Sequence, residues 1–179
     1  RNRLARKMVS GQCKPLKALG RFPRILSEVK GCRPLSKHSI FRRHNARHLS
    51  KRSNKQHSPR LESMGAYGGS PNGCVAARHA LQLRLHFEPT HAHLQTDIIN
   101  AHNEISRWAV RSQLHHNATR PDHTQNDLDC LLYFDLYYTI PGPTLVQEAA
   151  LLKLIYQTMG LDQGDGVATP FFNDTFTTI

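Results

Sequence analysis

The stretch Leu94-Gln95-Thr96-Asp97-Ile98-Ile99-Asn100-Ala101-His102-Asn103-Glu104-Ile105-Ser106-Arg107 decides how this chain folds. Together with His93, its first half reads as a short strand over 93–99 with an acid near its end. A tight connection leads into a helix over 103–115, with Ile105, Trp108, Ala109 and Leu114 turned inward. An acid at a strand's C-terminal end marks a functional sheet edge about as often as it merely starts a helix. Asp97 therefore takes its meaning from the rest of the chain.

Upstream lies a glycine-rich turn, Gly65-Ala66-Tyr67-Gly68-Gly69-Ser70-Pro71-Asn72-Gly73. It leads into the clearest helix, over 73–87. Asn72 is placed to cap it, Ala76, His79, Ala80, Leu83 and Phe87 share a face, and Pro89 ends it. Before the turn, Leu35, Ile40, Phe41, Ala46 and Leu49 recur at roughly helical spacing among dense bases, so 39–56 reads as a helix with a narrow apolar stripe. Residues 1–30 are basic, are broken by Gly11, Pro15, Gly20 and Pro23, and read as a poorly ordered lead-in.

Downstream, the polar residues 116–129 read as a loop. Leu131-Leu132-Tyr133-Phe134-Asp135-Leu136-Tyr137-Tyr138 reads as an apolar-aromatic strand closed by Pro141-Gly142-Pro143. Residues 145–158 fit two descriptions. Val146, Ala150, Leu151, Leu154 and Ile155 suit a helix, while Leu154-Ile155-Tyr156 before Gly160 suits one arm of a hairpin.

The charge is unevenly distributed. The 179 residues carry a net charge of +11, with 24 Lys and Arg against 13 Asp and Glu. Residues 1–60 hold 18 of the bases and the single acid Glu28, a balance of +17; residues 61–179 hold the other 6 bases and 12 acids, a balance of −6. That asymmetry excludes a uniformly basic, histone-like protein. No run approaches the roughly 18–20 apolar residues of a membrane-spanning helix, so no membrane partner is expected. A hydrophobic content of 39% and a mean hydropathy of −0.52 leave a thin core. The chain starts on Arg1 and stops in mid-pattern at Ile179, as expected of a piece of something longer. Cys13, Cys32, Cys74 and Cys130 are too scattered for a zinc site or a disulfide framework. With no secretory signal visible, reduced thiols in a nuclear or cytoplasmic protein are expected.

Several chemistries drop out. His91-Ala92-His93 and His115-His116 lack a third metal ligand at a suggestive spacing, and H-E-x-x-H is absent. There is no G-x-S-x-G for nucleophilic catalysis. The Gly65–Gly73 stretch has no Lys-Ser/Thr, so it is not a phosphate-binding P-loop. On its own, Gln163-Gly164-Asp165-Gly166 is a turn.

Taken in order, these pieces resemble reverse transcriptases of non-LTR (LINE-type) retrotransposons. The Leu94–Arg107 segment resembles their motif A: an apolar stretch, Asp, two residues, then Asn/Lys-Ala-Phe-Asn/Asp and an Arg. Gly160-Leu161-Asp162-Gln163-Gly164-Asp165, followed by Phe171-Phe172-Asn173, resembles motif B, Gly-x-x-Gln-Gly-Asp-Pro-Leu. Gly31-Cys32-Arg33-Pro34-Leu35, then Ile40-Phe41-Arg42-Arg43, resembles the fingers block. The run from Gly68-Gly69 through Asn72-Gly73 to His79-Ala80 resembles the glycine-rich entry to motif A. The resemblance spans about residues 30–179.

It implies an α+β chain with a partial right-hand polymerase fold: a basic lead-in over 1–30, fingers over 31–90 and an incomplete palm over 91–179. The palm would be an antiparallel sheet backed by helices. The activity implied is RNA-directed DNA synthesis, a nucleotidyl transfer that uses Mg²⁺, an RNA template, a DNA primer and deoxynucleoside triphosphates. Asp97 would be the catalytic metal ligand and the Ile98 carbonyl a second metal contact. Arg33 and Lys30 would meet the triphosphate, His102 would face the sugar, and Gln163 and Gly164 would line the nucleotide and template side. His102 stands where the family has an aromatic, and Gly166 where it has proline. The x-x-Asp-Asp box is missing, since no two Asp are adjacent in this sequence. A single carboxylate holds two Mg²⁺ poorly against water, so the fragment is expected to be inactive alone. The alternative from the charge pattern is a non-catalytic nucleic-acid-binding module gripping through residues 1–60.

Overall fold

The computed structural model describes residues 24–27, 36–95, 98, 100–148 and 151–178. Strands β1 (Arg24–Ser27) and β2 (Ser36–Lys37) precede the long helix α1 (Ile40–Ser63). Helices α2 (Gly73–Phe87), α3 (Ala101–Glu104), α4 (Arg107–Thr119) and α5 (Gln125–Tyr137) follow. Strands β3 (Gly142–Glu148) and β4 (Leu151–Gln157) and helix α6 (Ala168–Phe176) complete the order, an α+β arrangement. Among the described residues no helix is long and apolar enough to cross a membrane.

The sheet runs β2-β1-β3-β4. Residues 145–158 take the hairpin description: β3 and β4 are antiparallel, with Leu145 opposite Leu154 and Thr144 opposite Ile155. Their Leu-, Ile- and Val-rich runs suit a pleated surface. Strand β1 joins β3 in parallel, with Ile25 opposite Leu145 and Leu26 opposite Val146. The sheet is therefore mixed rather than purely antiparallel. No short turn links β1 to β3, so nothing local dictates their relative direction.

The core lies among the helices. Ala46 and Leu49 of α1 meet Val110 and Leu114 of α4, Tyr133, Phe134 and Tyr137 of α5, and Leu161, Val167 and Phe171 around α6. This core joins segments from both sides of residue 90.

Helix α1 begins where Ser39 Oγ accepts from the Arg42 N–H at 3.3 Å and runs past residue 56 to Ser63. Ala46 and Leu49 face inward as the stripe predicts, but Ile40 is 76% exposed. The rest of the buried face is largely polar: Arg42, Asn45, Ser53 and Ser58, with Leu61 closing it. The apolar stripe misjudged α1 because polar partners set its orientation.

The 131–138 run is helical, not a strand. Helix α5 starts six residues earlier, where Asp127 Oδ2 accepts from the Thr124 backbone N–H at 2.8 Å, a reciprocal N-terminal lock. Cys130, Tyr133, Phe134 and Tyr137 then fall on one buried face at i, i+3, i+4 and i+7. Eight nearly continuous apolar residues hid that period. The loop expected over 116–129 shrinks accordingly, since α4 extends to Thr119 and α5 begins at Gln125.

The helix expected over 103–115 is two helices. Ile105 is extended between them, and Ser106 Oγ accepts from the Ala109 N–H at 3.4 Å to start α4 afresh. The new phase is set by Val110, Leu114, Asn117 and Ala118, which leaves Trp108 outside at 78% exposure. Helix α2 has the expected bounds, but Asn72 is left-handed at φ 57° and makes no side-chain capping bond. Its half-buried line is Ala77, Leu81 and Leu85, while Ala76, His79, Ala80, Leu83 and Phe87 are exposed. Residues 91–95 and 98 form no strand, and residues 96, 97 and 99 lie outside the described residues.

These placements separate two aromatic side chains that the sequence treats alike. Phe134→Ala is expected to lower unfolding free energy by about 3–5 kcal/mol, whereas Trp108→Ala should stay within about 0.5 kcal/mol of the parent. Urea unfolding followed by circular dichroism measures both.

Candidate functional site

A buried arginine organises the centre of the molecule. Arg42, in the first turn of α1, is 5% exposed and reaches the turn before α6. Its Nη2 donates to Asp162 Oδ2 at 2.8 Å and to Asp165 Oδ2 at 2.7 Å. Its Nε donates to Asp165 Oδ2 at 3.2 Å and to the Tyr133 hydroxyl at 3.3 Å. Tyr133 donates to Asp165 at 3.0 Å and Tyr138 does so at 2.8 Å. The guanidinium carbon also lies 4.7 Å from the Tyr137 ring centroid and 5.1 Å from that of Tyr138, within cation–π range. His38 Nε2 stands 3.8 Å from Asp162 Oδ2.

Burial opposes every charge in this cluster, and pairing reverses the effect for two of them. Burial works against the Arg42 cation, but Asp165 and the two tyrosine hydroxyls raise its pKa above the ordinary value. Burial also works against the Asp165 anion, and the adjacent Arg42 guanidinium still holds it below the usual carboxylate range. For Tyr133, burial and the Asp165 charge outweigh the opposing pull of Arg42 and push its phenol well above 10.

The cluster has a consequence at the surface. Asp162 and Asp165 bracket Gln163 and Gly164, so Arg42 pins the turn from beneath at both ends. Gln163 is half-buried and Gly164 is exposed, with φ 103° at the glycine. Such a φ strains any L side chain, so the turn's outward apex needs its glycine.

The segment after Asp97 packs directly on this turn. Leu161 N–H donates to the His102 carbonyl at 2.6 Å, and Gly160 N–H donates to that of Ile105 at 3.1 Å. The His102 ring stacks on Phe172 with centroids 4.9 Å apart. Gly160 has φ 71°, and a Cβ there would meet the Asn103 carbonyl oxygen at 2.1 Å, so only glycine fits. Arg107 closes the contact by donating to the carbonyls of Gly160 at 2.9 Å, Gln157 at 3.0 Å and Tyr138 at 3.1 Å. Its burial lowers its pKa, and three carbonyl acceptors replace part of the water it loses, through Nε and Nη1.

Of the site residues expected from sequence, His102, Gln163 and Gly164 thus belong to one neighbourhood. Ile98 is exposed. Asp97, Arg33 and Lys30 lie outside the described residues. Sequence reasoning missed Arg42, Asp162, Asp165, Tyr133 and Tyr138 as a unit. The signal it could have used is the unusual pair of acids around an otherwise turn-like Gln-Gly, together with a basic helix having more inward positions than apolar residues.

No family model, curated protein or solved structure matches this chain. What the site can do therefore rests on its own geometry.

The group of described residues best suited to a metal is His38, Asp162 and Asp165, whose ligand atoms lie within 4.8 Å of one another. A divalent cation does not fit there, because the Arg42 guanidinium already bonds Oδ2 of both carboxylates. This group is thus taken up by the arginine rather than open to a cation.

Two more ion pairs and a histidine–carboxylate contact repeat the pattern along α1. Arg52 meets Asp129 at 3.3 Å and His57 meets Asp127 at 3.2 Å, and Arg60 pairs with Asp174. Burial opposes the Asp127 charge, but His57, the Thr124 backbone N–H and Gln56 together hold it well below the usual range. Beside them, Cys130 is buried against Ser53 and its thiol is pushed up to about 12, which makes it a packing residue rather than a nucleophile.

Removing Arg42 leaves two carboxylates without their cation. Arg42→Met should cost about 3–5 kcal/mol, with part recovered when Asp162→Asn and Asp165→Asn are added, as read by urea unfolding. The sign of the pH dependence follows from Asp165. Its folded pKa is depressed, so the unfolded chain binds the proton more readily in acid. The stabilisation is complete above the unfolded value of about 3.9 and is lost as pH falls through the folded value. The urea midpoint should drop on acidification from about pH 5 to about pH 3, and less steeply in Asp165→Asn.

Proposed function

We propose that this chain is a fingers-and-palm fragment of an RNA-directed DNA polymerase of the non-LTR retrotransposon type, inactive as the 179-residue chain. The observation that carries the reading is the contact between the segment following Asp97 and the Gly160–Asp165 turn. Residues about sixty positions apart, which the resemblance assigns to two motifs around one nucleotide, pack through His102, Asn103 and Ile105 on Gly160 and Leu161. The Arg42 bonds to Asp162 and Asp165 give further support, since they tie the fingers block to the same turn.

In this reading the polypeptide's own contribution is positional. Arg42 and Arg107 fix the turn, Gln163 and Gly164 face the nucleotide and template, and His102 borders the sugar. Phosphoryl transfer of this type needs in-line alignment and charge neutralisation at the attacking and leaving oxygens. This chain has no adjacent Asp-Asp pair to complete that charge set, which is why it is read as inactive alone.

The 179-residue chain is expected to give no primer extension on poly(A) with oligo(dT), deoxynucleoside triphosphate and Mg²⁺. In a longer polypeptide supplying an Asp-Asp pair, synthesis is expected and Asp97→Ala should abolish it while leaving salt-dependent RNA binding intact. Sustained extension by the short chain overturns the inactivity claim. An Asp97→Ala variant that changes only folding overturns the site assignment.

A further inference from the structure

Helix α1 sorts its bases by face. Arg42, Arg52 and Arg60 point inward or to the margin, and each meets an aspartate of the turn before α6, of α5 or of α6. Arg43, Arg47, Lys51 and Lys55 are all exposed. Among the described residues, none of these four forms an ion pair or a side-chain hydrogen bond. The sole acid of α1 is Glu62, in the last turn and seven residues beyond Lys55.

The four follow one another at i+4. At 1.5 Å rise per residue they stand about 6 Å apart and span about 18 Å along the axis. That step is comparable with the separation of neighbouring phosphates on one nucleic-acid strand. The row also winds slowly around the helix, because four residues overshoot a full turn by about 40°. Arg43 and Arg47 offer planar forks and Lys51 and Lys55 point charges, both suited to phosphate oxygens.

From this geometry we propose that the outer face of α1 is a phosphate-binding track for a single nucleic-acid strand, contacted by Arg43, Arg47, Lys51 and Lys55. Charge complementarity favours this occupant over a protein. A stable protein interface needs a desolvated apolar centre, and the track's central neighbours, His44, His48 and Asn54, are polar. Backbone neutralisation needs only evenly placed cations and releases counterions as it forms. The inward bases take no part, since their charge is already met by Asp162, Asp165, Asp129 and Asp174. The track rests on the nucleic-acid partner of the function proposed above, not on its chemistry.

The test is the salt dependence of binding of the full chain to a single-stranded oligo(U) of about 20 nucleotides, followed by fluorescence anisotropy from about 50 to about 200 mM salt. The variant Arg43→Gln/Arg47→Gln/Lys51→Gln/Lys55→Gln replaces exposed side chains with a good helix former, and circular dichroism checks that the helix content is kept. Its log–log salt slope should be shallower than the parent's by about 2–3, at roughly 0.7 per lost phosphate contact on a single strand. The control Arg1→Gln/Arg3→Gln/Arg6→Gln/Lys7→Gln removes the same charge elsewhere and should change the slope by less than about 1. Equal losses in the two variants, or an unchanged slope in the α1 variant, overturn the track. Equal affinity of the parent for poly(Glu) overturns the choice of nucleic acid over an acidic protein. A chain that binds RNA through α1, yet whose extended form fails to synthesise DNA, keeps the track and loses the polymerase.

Discussion

A guanidinium sealed between two carboxylates and two phenol hydroxyls is the constraint on which this structure turns. Arg42, Asp162 and Asp165 are all buried, and each alone would be costly to remove from water. Together they satisfy one another through Tyr133 and Tyr138. Because the partners come from α1, from α5 and from the turn before α6, the cluster forms only if all three arrive in one arrangement. An apolar contact among the same elements would tolerate sliding; a network of directional bonds does not.

The same logic runs the length of α1. Its buried face is mostly polar, so its packing against α5 and α6 depends on matched charges as much as on Ala46 and Leu49. Four aspartates of the acidic half, at 129, 162, 165 and 174, face arginines of the basic half. The opposed charge of the two halves is therefore in part an internal neutralisation. It reduces what is left for a metal and leaves an outer row of cations on α1 unmatched.

The legible parts of the fold were those where a local signal had no rival. Helix α2 begins and ends as its glycine-rich entry and Pro89 dictate. The hairpin of β3 and β4 was one of two open descriptions, and cross-strand pairing chose it. The illegible parts were those where a polar contact set the phase. Trp108 looks like a core residue by spacing, but the helix restarts at Ser106 and turns it outward. Residues 131–138 look like a strand, but the Thr124–Asp127 lock starts a helix before the apolar run begins. Of the candidate site, the turn at Gln163-Gly164-Asp165-Gly166 was legible from its residues; the arginine that pins it was not.

The sequence by itself determined that the chain's charge is split near residue 60 and that Gln163-Gly164-Asp165-Gly166 forms a turn. Composition and local periodicity carry these, because they depend on near neighbours. Only the tertiary structure decided which bases face inward, that Asp162 and Asp165 are bound to an arginine rather than open to a cation, and that His102 packs against Leu161 and Phe172. Those outcomes depend on which charges find partners across the fold, and a linear sequence does not record a pairing 120 residues apart.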